Sequence, residues 1–362
     1  MIEIDGSTGE GGGALLRIAL ALSAVCGSPI RIYNIRAKRD NPGLQHQHLS
    51  SVNVMASLCG AKVDGARLTS TELVVEPGRI RGGKYRVNIG TAGSTTLLLQ
   101  PVMIASAFAD GPVEVEVTGG TDNPQAPPLD YLTNVAVPML GRFGYSVDVT
   151  CVLRGHYPRG GGRVVARMEP VGVLKPLVAV ERGRILGIRG VAHCVRLPEH
   201  VARRMAHSAS VRLMREGYSD VKIKAEHYPP ERDSHLGPGA GITIWAETDT
   251  GCILGASALG EPGKPAERVG TEAAENLIKT LETGCAIDRY LADQLVPYMG
   301  IAEGLSEITC AELSRHTITN VWLVEKILGI GFEVRGGEGC SGRLIVRGTG
   351  LKKGENPQHD ED

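Results

Sequence analysis

A histidine, a carboxylate set among glycines and a short run of cations are the residues here whose types could work on a phosphate. His316 stands in SRHTITNVWLVEKILG, just ahead of a strongly apolar helical pattern that Thr317 or Thr319 could cap. A helix N-terminus favours anions and disfavours imidazolium, so the ring would stay neutral and nucleophilic at pH 7, the state that attack on phosphorus requires. Glu10-Gly11-Gly12-Gly13 directly precedes the helix pattern LLRIALALS, and glycines at a helix start leave N–H groups free to hold phosphate. Arg17 falls on the first turns of that helix. Arg36, Lys38 and Arg39 follow, then Gln47 and His48. In an extended strand IYNIRAKR, alternation would put Arg36 and Lys38 on one face and Arg39 on the other, with a turn near Asp40 able to reorient it. Each feature also has an ordinary reading (a lone histidine, a tight turn, a solvated basic edge), and none decides the matter alone.

The familiar nucleotide signatures are missing. No G-x-x-x-x-G-K-[ST] loop and no H-E-x-x-H helix occurs. One G-x-G-x-x-G match, Gly337 to Gly342, joins two apparent strands, FEVRG and RLIVRG, and so reads as a hairpin turn. Thirty-nine Lys and Arg face 40 Asp and Glu, so a polyanion would have to be held by a local cluster and not by a global field. Aromatics make up only 4%, which argues against stacking platforms for single-stranded bases, whereas 48 glycines suit close approach of backbone to a ligand. Eight scattered cysteines form no C-x-x-C pair, so neither a zinc knuckle nor a disulfide framework is expected. The N-terminal residues lack a basic-then-apolar leader and no run of about 18 apolar residues exists, from which a cytoplasmic location is expected.

The elements that must position these residues form a degenerate repeat. One copy runs from GGGALLRIALALS through HLSSVNVMASLCGAKVD to LVVEPGRIRG. A second runs from AGSTTLLLQPVMIASAFADGPVEVEVTGG through DYLTNVAVPMLGRFGYSVDV to GGRVVARMEP, with Asp40-Asn41-Pro42 and Asp122-Asn123-Pro124 in equivalent places. A third, incomplete copy reads DRYLADQLVPYMG, TNVWLVEKILGIGFEV and SGRLIVRG. Each copy offers one apolar sheet face and amphipathic helices, so three could bury their helices in a common core. The expected fold is α+β: three tandem βαβαββ-type units making a large domain, 1–182 with 271–349, around a small α/β insert at 183–270. The repeat pattern is expected to resume with the helix TEAAENLIKTLETG. The polar tail, 350–362, is expected to be disordered. Arg204, Arg212 and Arg215 could share one helical face of the insert and touch RNA, although a plain solvated face is the simpler expectation.

Taken together, EGGGALLRIALALS, NIRAKRDNPGLQHQHL, AGSTTLLLQ, GGTDNPQAPPLDY, HYPRGGG, DRYLADQL and HTITNVWLVE resemble, in order and over nearly the whole chain, the blocks of the RNA 3′-terminal phosphate cyclase family. The resemblance implies a three-step reaction. A histidine takes AMP from ATP as a phosphoramidate, AMP passes to an RNA 3′-phosphate, and the vicinal 2′-hydroxyl displaces it to leave a 2′,3′-cyclic phosphate. By position in the HTITN block, His316 matches the nucleophile. Glu10 matches a residue that helps hold a divalent metal, Mg²⁺ or Mn²⁺. Arg17, Arg39 and Gln47 match phosphate-contacting positions, and Arg36 and His48 match neighbouring ones. Pro127 and Tyr290 match residues flanking the adenine, and Gln100, Asp293 and Gln294 match others lining the nucleoside pocket. The implied partners are ATP and RNA with a 3′-phosphate terminus, and a homodimer is a further expectation. AGSTTLLLQ and LQHQHL depart from bacterial versions of the blocks, which bears on substrate detail more than on chemistry.

Three other readings compete with this one. A non-catalytic ribosome-assembly relative would lack the nucleophilic histidine, which this chain has. An enolpyruvyl transferase shares such repeats, but the insert and the HTITN block speak against it. A plain RNA-binding module would use its arginines only on the backbone.

Overall fold

A computed structural model describes residues 1–353; most of the tail expected to be disordered, from 354 on, lies outside the described residues. The first repeat comprises β1 (Ile2–Asp5), α1 (Gly13–Cys26), β2 (Ile30–Tyr33), α2 (His46–Cys59), β3 (Lys62–Asp64) and β4 (Leu73–Glu76). Its sheet has the order β1-β2-β4-β3, with β1 and β2 parallel and the remaining pairs antiparallel. The second repeats this arrangement with β5 (Gly83–Asn88), α3 (Thr95–Ser106), β6 (Val113–Gly119), α4 (Leu129–Tyr131), a π turn (Leu132–Ala136), α5 (Val137–Gly141), β7 (Ser146–Leu153) and β8 (Gly162–Glu169). Its order, β5-β6-β8-β7, is the same topology.

The third repeat is complete, contrary to the expectation of a partial copy. Its first strand is β9 (Val178–Ala179), which pairs parallel with a strand far downstream. The insert intervenes: β10 (Ile185–Val195), α6 (His200–Arg215), β11 (Val221–His227), β12 (Gly239–Thr248), β13 (Ile253–Leu259) and α7 (Ala266–Glu282). Its strand order, β11-β10-β12-β13, differs from that of the repeats. Thereafter α8 (Arg289–Ile301), β14 (Glu303–Cys310), α9 (Arg315–Leu328), β15 (Phe332–Arg335) and β16 (Gly342–Thr349) close a sheet of order β15-β16-β14-β9. The hairpin expected at Gly337–Gly342 is the β15–β16 connection.

The helix expected to restart the repeats, 271–284, falls on α7, which ends at Glu282 and packs on α6, β12 and β13 of the insert. Its apolar face, Val269, Ala273, Leu277 and Leu281, specifies that a sheet must cover it but not which sheet. Helices of all three repeats meet in one core, where α1 touches α2, α3 and α9. Every residue of α1 beyond Gly13 is buried, and its alanines and serine let neighbouring helices approach closely on all sides. On the insert, Arg204 reaches Glu267 of α7 and Arg212 pairs with Glu216 just past the end of α6, so carboxylates already occupy two of the three arginines proposed for that face.

Candidate active site

A cavity of about 430 Å³ opens where α1, α3, α8 and α9 converge beside the insert strand β13, a size suited to a small ligand. Seven of the twelve expected residues line it: Arg17, Gln100, Pro127, Tyr290, Asp293, Gln294 and His316. Glu10 lies at its edge, with one carboxylate oxygen 3.9 Å from His316 Nδ1 and an ion pair to Arg39. The other four, Arg36, Arg39, Gln47 and His48, do not line the cavity. Gln47 accepts a hydrogen bond from the Ser94 N–H at 3.0 Å and so fixes the start of α3. Arg36 donates to the backbone carbonyls of Asn41 and Gly43 and braces the loop ahead of α2. The strand anticipated through IYNIRAKR ends at Tyr33; Asn34 and Arg36 adopt positive φ of 54° and 55°, which breaks any alternation of faces.

The glycine run has a steric cause. A Cβ on Gly12 would stand 2.2 Å from the Glu10 carboxylate, and one on Gly13 would stand 2.4 Å from His48 Nε2 and 2.9 Å from Arg17 Nη1. Helix α1 starts with Gly12 as its cap and no side chain bonded to its first N–H groups. Those donors are therefore available to an anion. The Glu10 N–H donates to Thr319 Oγ1 at 3.0 Å, tying the glycine loop to α9.

His316 sits inside the first turn of α9, not upstream of it. The cap is Ser314, whose side chain accepts from the Thr317 N–H at 3.1 Å, and neither Thr317 nor Thr319 serves that role. Ser314→Ala should cost about 1 kcal/mol in a denaturant unfolding experiment while covalent chemistry at His316 persists, because the ring itself is untouched. The proton affinity of His316 is held below the ordinary imidazole range, first by burial and then by the charges of Arg17, Arg39 and Arg289. Burial and Arg17 push His48 down to about 3. Its Nδ1 accepts the Gln45 N–H at 3.2 Å, so the neutral ring carries its proton on Nε2, facing Gly13 and Arg17. Arg17 is itself buried, which brings its guanidinium down to about 10, and its Nε–H donates to Gln100 Oε1 at 3.2 Å. Burial pushes the neighbouring Asp293 carboxyl up to about 7 against the pull of Arg17.

Several residues that build the site were not anticipated from the sequence. Asp288, fully buried, accepts from the N–H groups of Tyr290 and Leu291, from the Tyr131 hydroxyl and from the Gly255 N–H of the insert. It thereby caps α8, aims Tyr290 and fastens the insert to the repeats; an Asp just before an apolar helical pattern was the signal available. Asn123 to Pro128 supply one wall and Ser257 to Leu259 of β13 another.

A family model described as RNA 3′-terminal phosphate cyclase matches residues 8–334. The chain belongs to that family. Curated relatives of the same description are similar over nearly their whole length. One from Methanopyrus kandleri is 53% identical, covering 97% of this chain and 99% of its own. One from Ignicoccus hospitalis is 51% identical over 91% and 93%, and one from Thermococcus kodakarensis is 49% identical over 95% and 98%. The α+β fold and the ATP-dependent cyclase assignment expected from the ordered blocks stand with this match. An RNA 3′-terminal phosphate cyclase uses ATP and acts on RNA ends. No helix among the described residues is long and apolar enough to cross a membrane.

Proposed function

We propose that this chain closes RNA 3′-phosphate ends with His316 as the nucleophile and the α1–α3–α8–α9 cavity as the nucleotide site. The observation that carries the reading is the position of His316 on that cavity, beside Glu10 and within the field of Arg17, Arg39 and Arg289. In the first step an imidazole nitrogen of His316 attacks the α-phosphorus of ATP, a P–N bond forms, and pyrophosphate leaves. An oxygen of the RNA 3′-phosphate then attacks the same phosphorus and the P–N bond breaks. Finally the vicinal 2′-hydroxyl attacks the 3′-phosphorus and expels AMP. That last step needs no further nucleophile, since the hydroxyl is already held beside its target.

Arg17 and the bare N-terminus of α1 neutralise charge on the α-phosphate and the departing pyrophosphate. His48 donates its Nε2 proton in the same direction. Arg39, Gln47 and Arg36 support the phosphate end, the last two by fixing loops. Tyr290 and Pro127 flank the adenine, and Gln100, Asp293 and Gln294 line the nucleoside pocket. Glu10 suits Mg²⁺ or Mn²⁺: its carboxylate is mostly buried at the phosphate end, and such ions are commonly held by one or two carboxylates plus substrate phosphates. When bound, the ion draws charge from the phosphate oxygens. A cytoplasmic location and a homodimer belong to the same proposal.

Incubated with ATP, Mg²⁺ and an oligoribonucleotide bearing a 3′-phosphate, the protein should convert that end to a form resistant to phosphatase, releasing one AMP and one pyrophosphate per end. Adenylylation should keep its rate as pH falls through about 6.5, the ordinary imidazole value, and decline only below it, because the proton affinity of His316 is depressed. RNA that binds yet keeps a phosphatase-sensitive end would leave only a binding protein.

A further inference from the structure

Outside the nucleotide cavity, three residues far apart in sequence converge in the interior between the second repeat and the insert. Asp122 lies in the loop after β6, His156 in the connection from β7 to β8, and His193 on β10. All three are at least nine-tenths buried. We propose that Asp122, His156 and His193 bind one divalent transition-metal ion of the zinc class, which fastens the insert to the loop that walls the nucleotide site.

The donor set is two imidazoles and a carboxylate, which suits zinc and its neighbours and not magnesium or calcium. One ligand atom from each residue lies within 4.8 Å of the others. His193 Nε2 is 3.6 Å from Asp122 Oδ1, and His156 Nε2 is 3.9 Å from Asp122 Oδ2. Ligands at about 2.0–2.1 Å around a tetrahedral zinc stand roughly 3.3–3.5 Å apart, so the three side chains must draw together to close round an ion.

Among the described residues, no protein partner satisfies these atoms. Asp122 Oδ1, His156 Nε2 and both ring nitrogens of His193 are buried without a hydrogen bond, a condition that costs folding free energy unless something else pairs them. Asp122 Oδ2 takes the Thr121 hydroxyl, which leaves Oδ1 free. Behind His193, Asp130 Oδ2 stands 3.3 Å from Nδ1. A small ring rotation closes that hydrogen bond, holds the proton on Nδ1 and presents the Nε2 lone pair, the arrangement carboxylates commonly impose on metal-binding histidines.

Charge points the same way. Asp122, Asp130 and Glu226 surround the single guanidinium of Arg154, an excess of two carboxylates over that cation that a divalent ion would balance. The insert strand also makes room. A Cβ on Gly239 would stand 2.0 Å from His156 Cγ, and one on Gly241 would stand 3.1 Å from His193 Cε1. A second cavity, of about 810 Å³, is lined by Asp122 and His156 and gives an ion a way in. Asp122 immediately precedes Asn123 and Pro124, which line the nucleotide cavity, so an ion there would hold that wall in place.

The test is metal loading of the full-length chain, stripped with EDTA and dialysed against Co²⁺ or Zn²⁺. Wild-type protein should show the visible bands of nitrogen-ligated cobalt and retain one equivalent of zinc. Glu10→Gln should keep both signals, which separates this site from the phosphate end. His156→Phe, with circular dichroism unchanged, should bind Co²⁺ more than about 100-fold more weakly, since even partners behind metal ligands contribute 10–100-fold. Anomalous diffraction from zinc-loaded wild-type crystals gives an answer that needs no variant, with a peak expected among the three side chains. Absence of that peak, bands that vanish in Glu10→Gln, or bands that survive in a folded His156→Phe would each overturn the proposal.

Discussion

Replacing His316 by alanine or asparagine should abolish the covalent label that the protein acquires from α-labelled ATP, a loss of about 10³-fold or more. The label should be acid-labile and alkali-stable, as a phosphoramidate is. No neighbouring group is placed to take over. His48 reaches its surroundings only through a nitrogen that already carries a proton, and its proton affinity is far below that of a useful nucleophile. The fold should survive: the His316 side chain is about half exposed, and the cap that holds its helix comes from Ser314. An unchanged circular dichroism spectrum with no label is the expected pair of results. A label that persists in either variant would move the nucleophile to another residue.

The repeats were legible because each copy buries strongly apolar helices against a sheet, and that requirement marks the sequence directly. Strand β9 was not legible. Two residues carry no periodicity, and β9 belongs to the third repeat only because the edge of β14 accepts it. For the same reason α7 could not be assigned, since an amphipathic face records the need for cover without naming the cover. At the site, the glycine run and His316 were visible because their chemistry is local. The wall from β13 and the bond from Gly255 to Asp288 were not, because both depend on how the insert docks against α8. Asp40-Asn41-Pro42 and Asp122-Asn123-Pro124 show the limit of repeat reasoning. Equivalent in pattern, the first is exposed throughout, whereas Asp122 and Asn123 of the second are buried beside two cavities. His156 and His193 lie 37 positions apart in the chain, and only the docking of insert strands β10 and β12 against the β7–β8 connection brings them together.

Arg17→Met should lower kcat/KM for adenylylation of His316 by about 10²–10³-fold, or roughly 2.7–4 kcal/mol of transition-state stabilisation, as removal of a preorganised donor at a developing charge does. The side chain is 5% exposed, its Nε–H is engaged by Gln100, and a terminal nitrogen points toward the glycine start of α1. A guanidinium lowered to about 10 is still a cation at pH 7, and burial protects its field from solvent screening. Arg17→Lys should recover only part of the loss, because an ammonium cannot keep the Gln100 contact and meet a phosphate with the same fork of donors. A second readout separates a catalytic charge from a packing role. Arg17 is one of the cations that depress proton binding at His316, so its removal should shift the acid limb of the labelling profile to higher pH. A purely structural arginine would lower the amount of folded enzyme without moving that limb. Labelling within threefold of wild type, at an unshifted pH dependence, would show that the α-phosphate is neutralised by other groups.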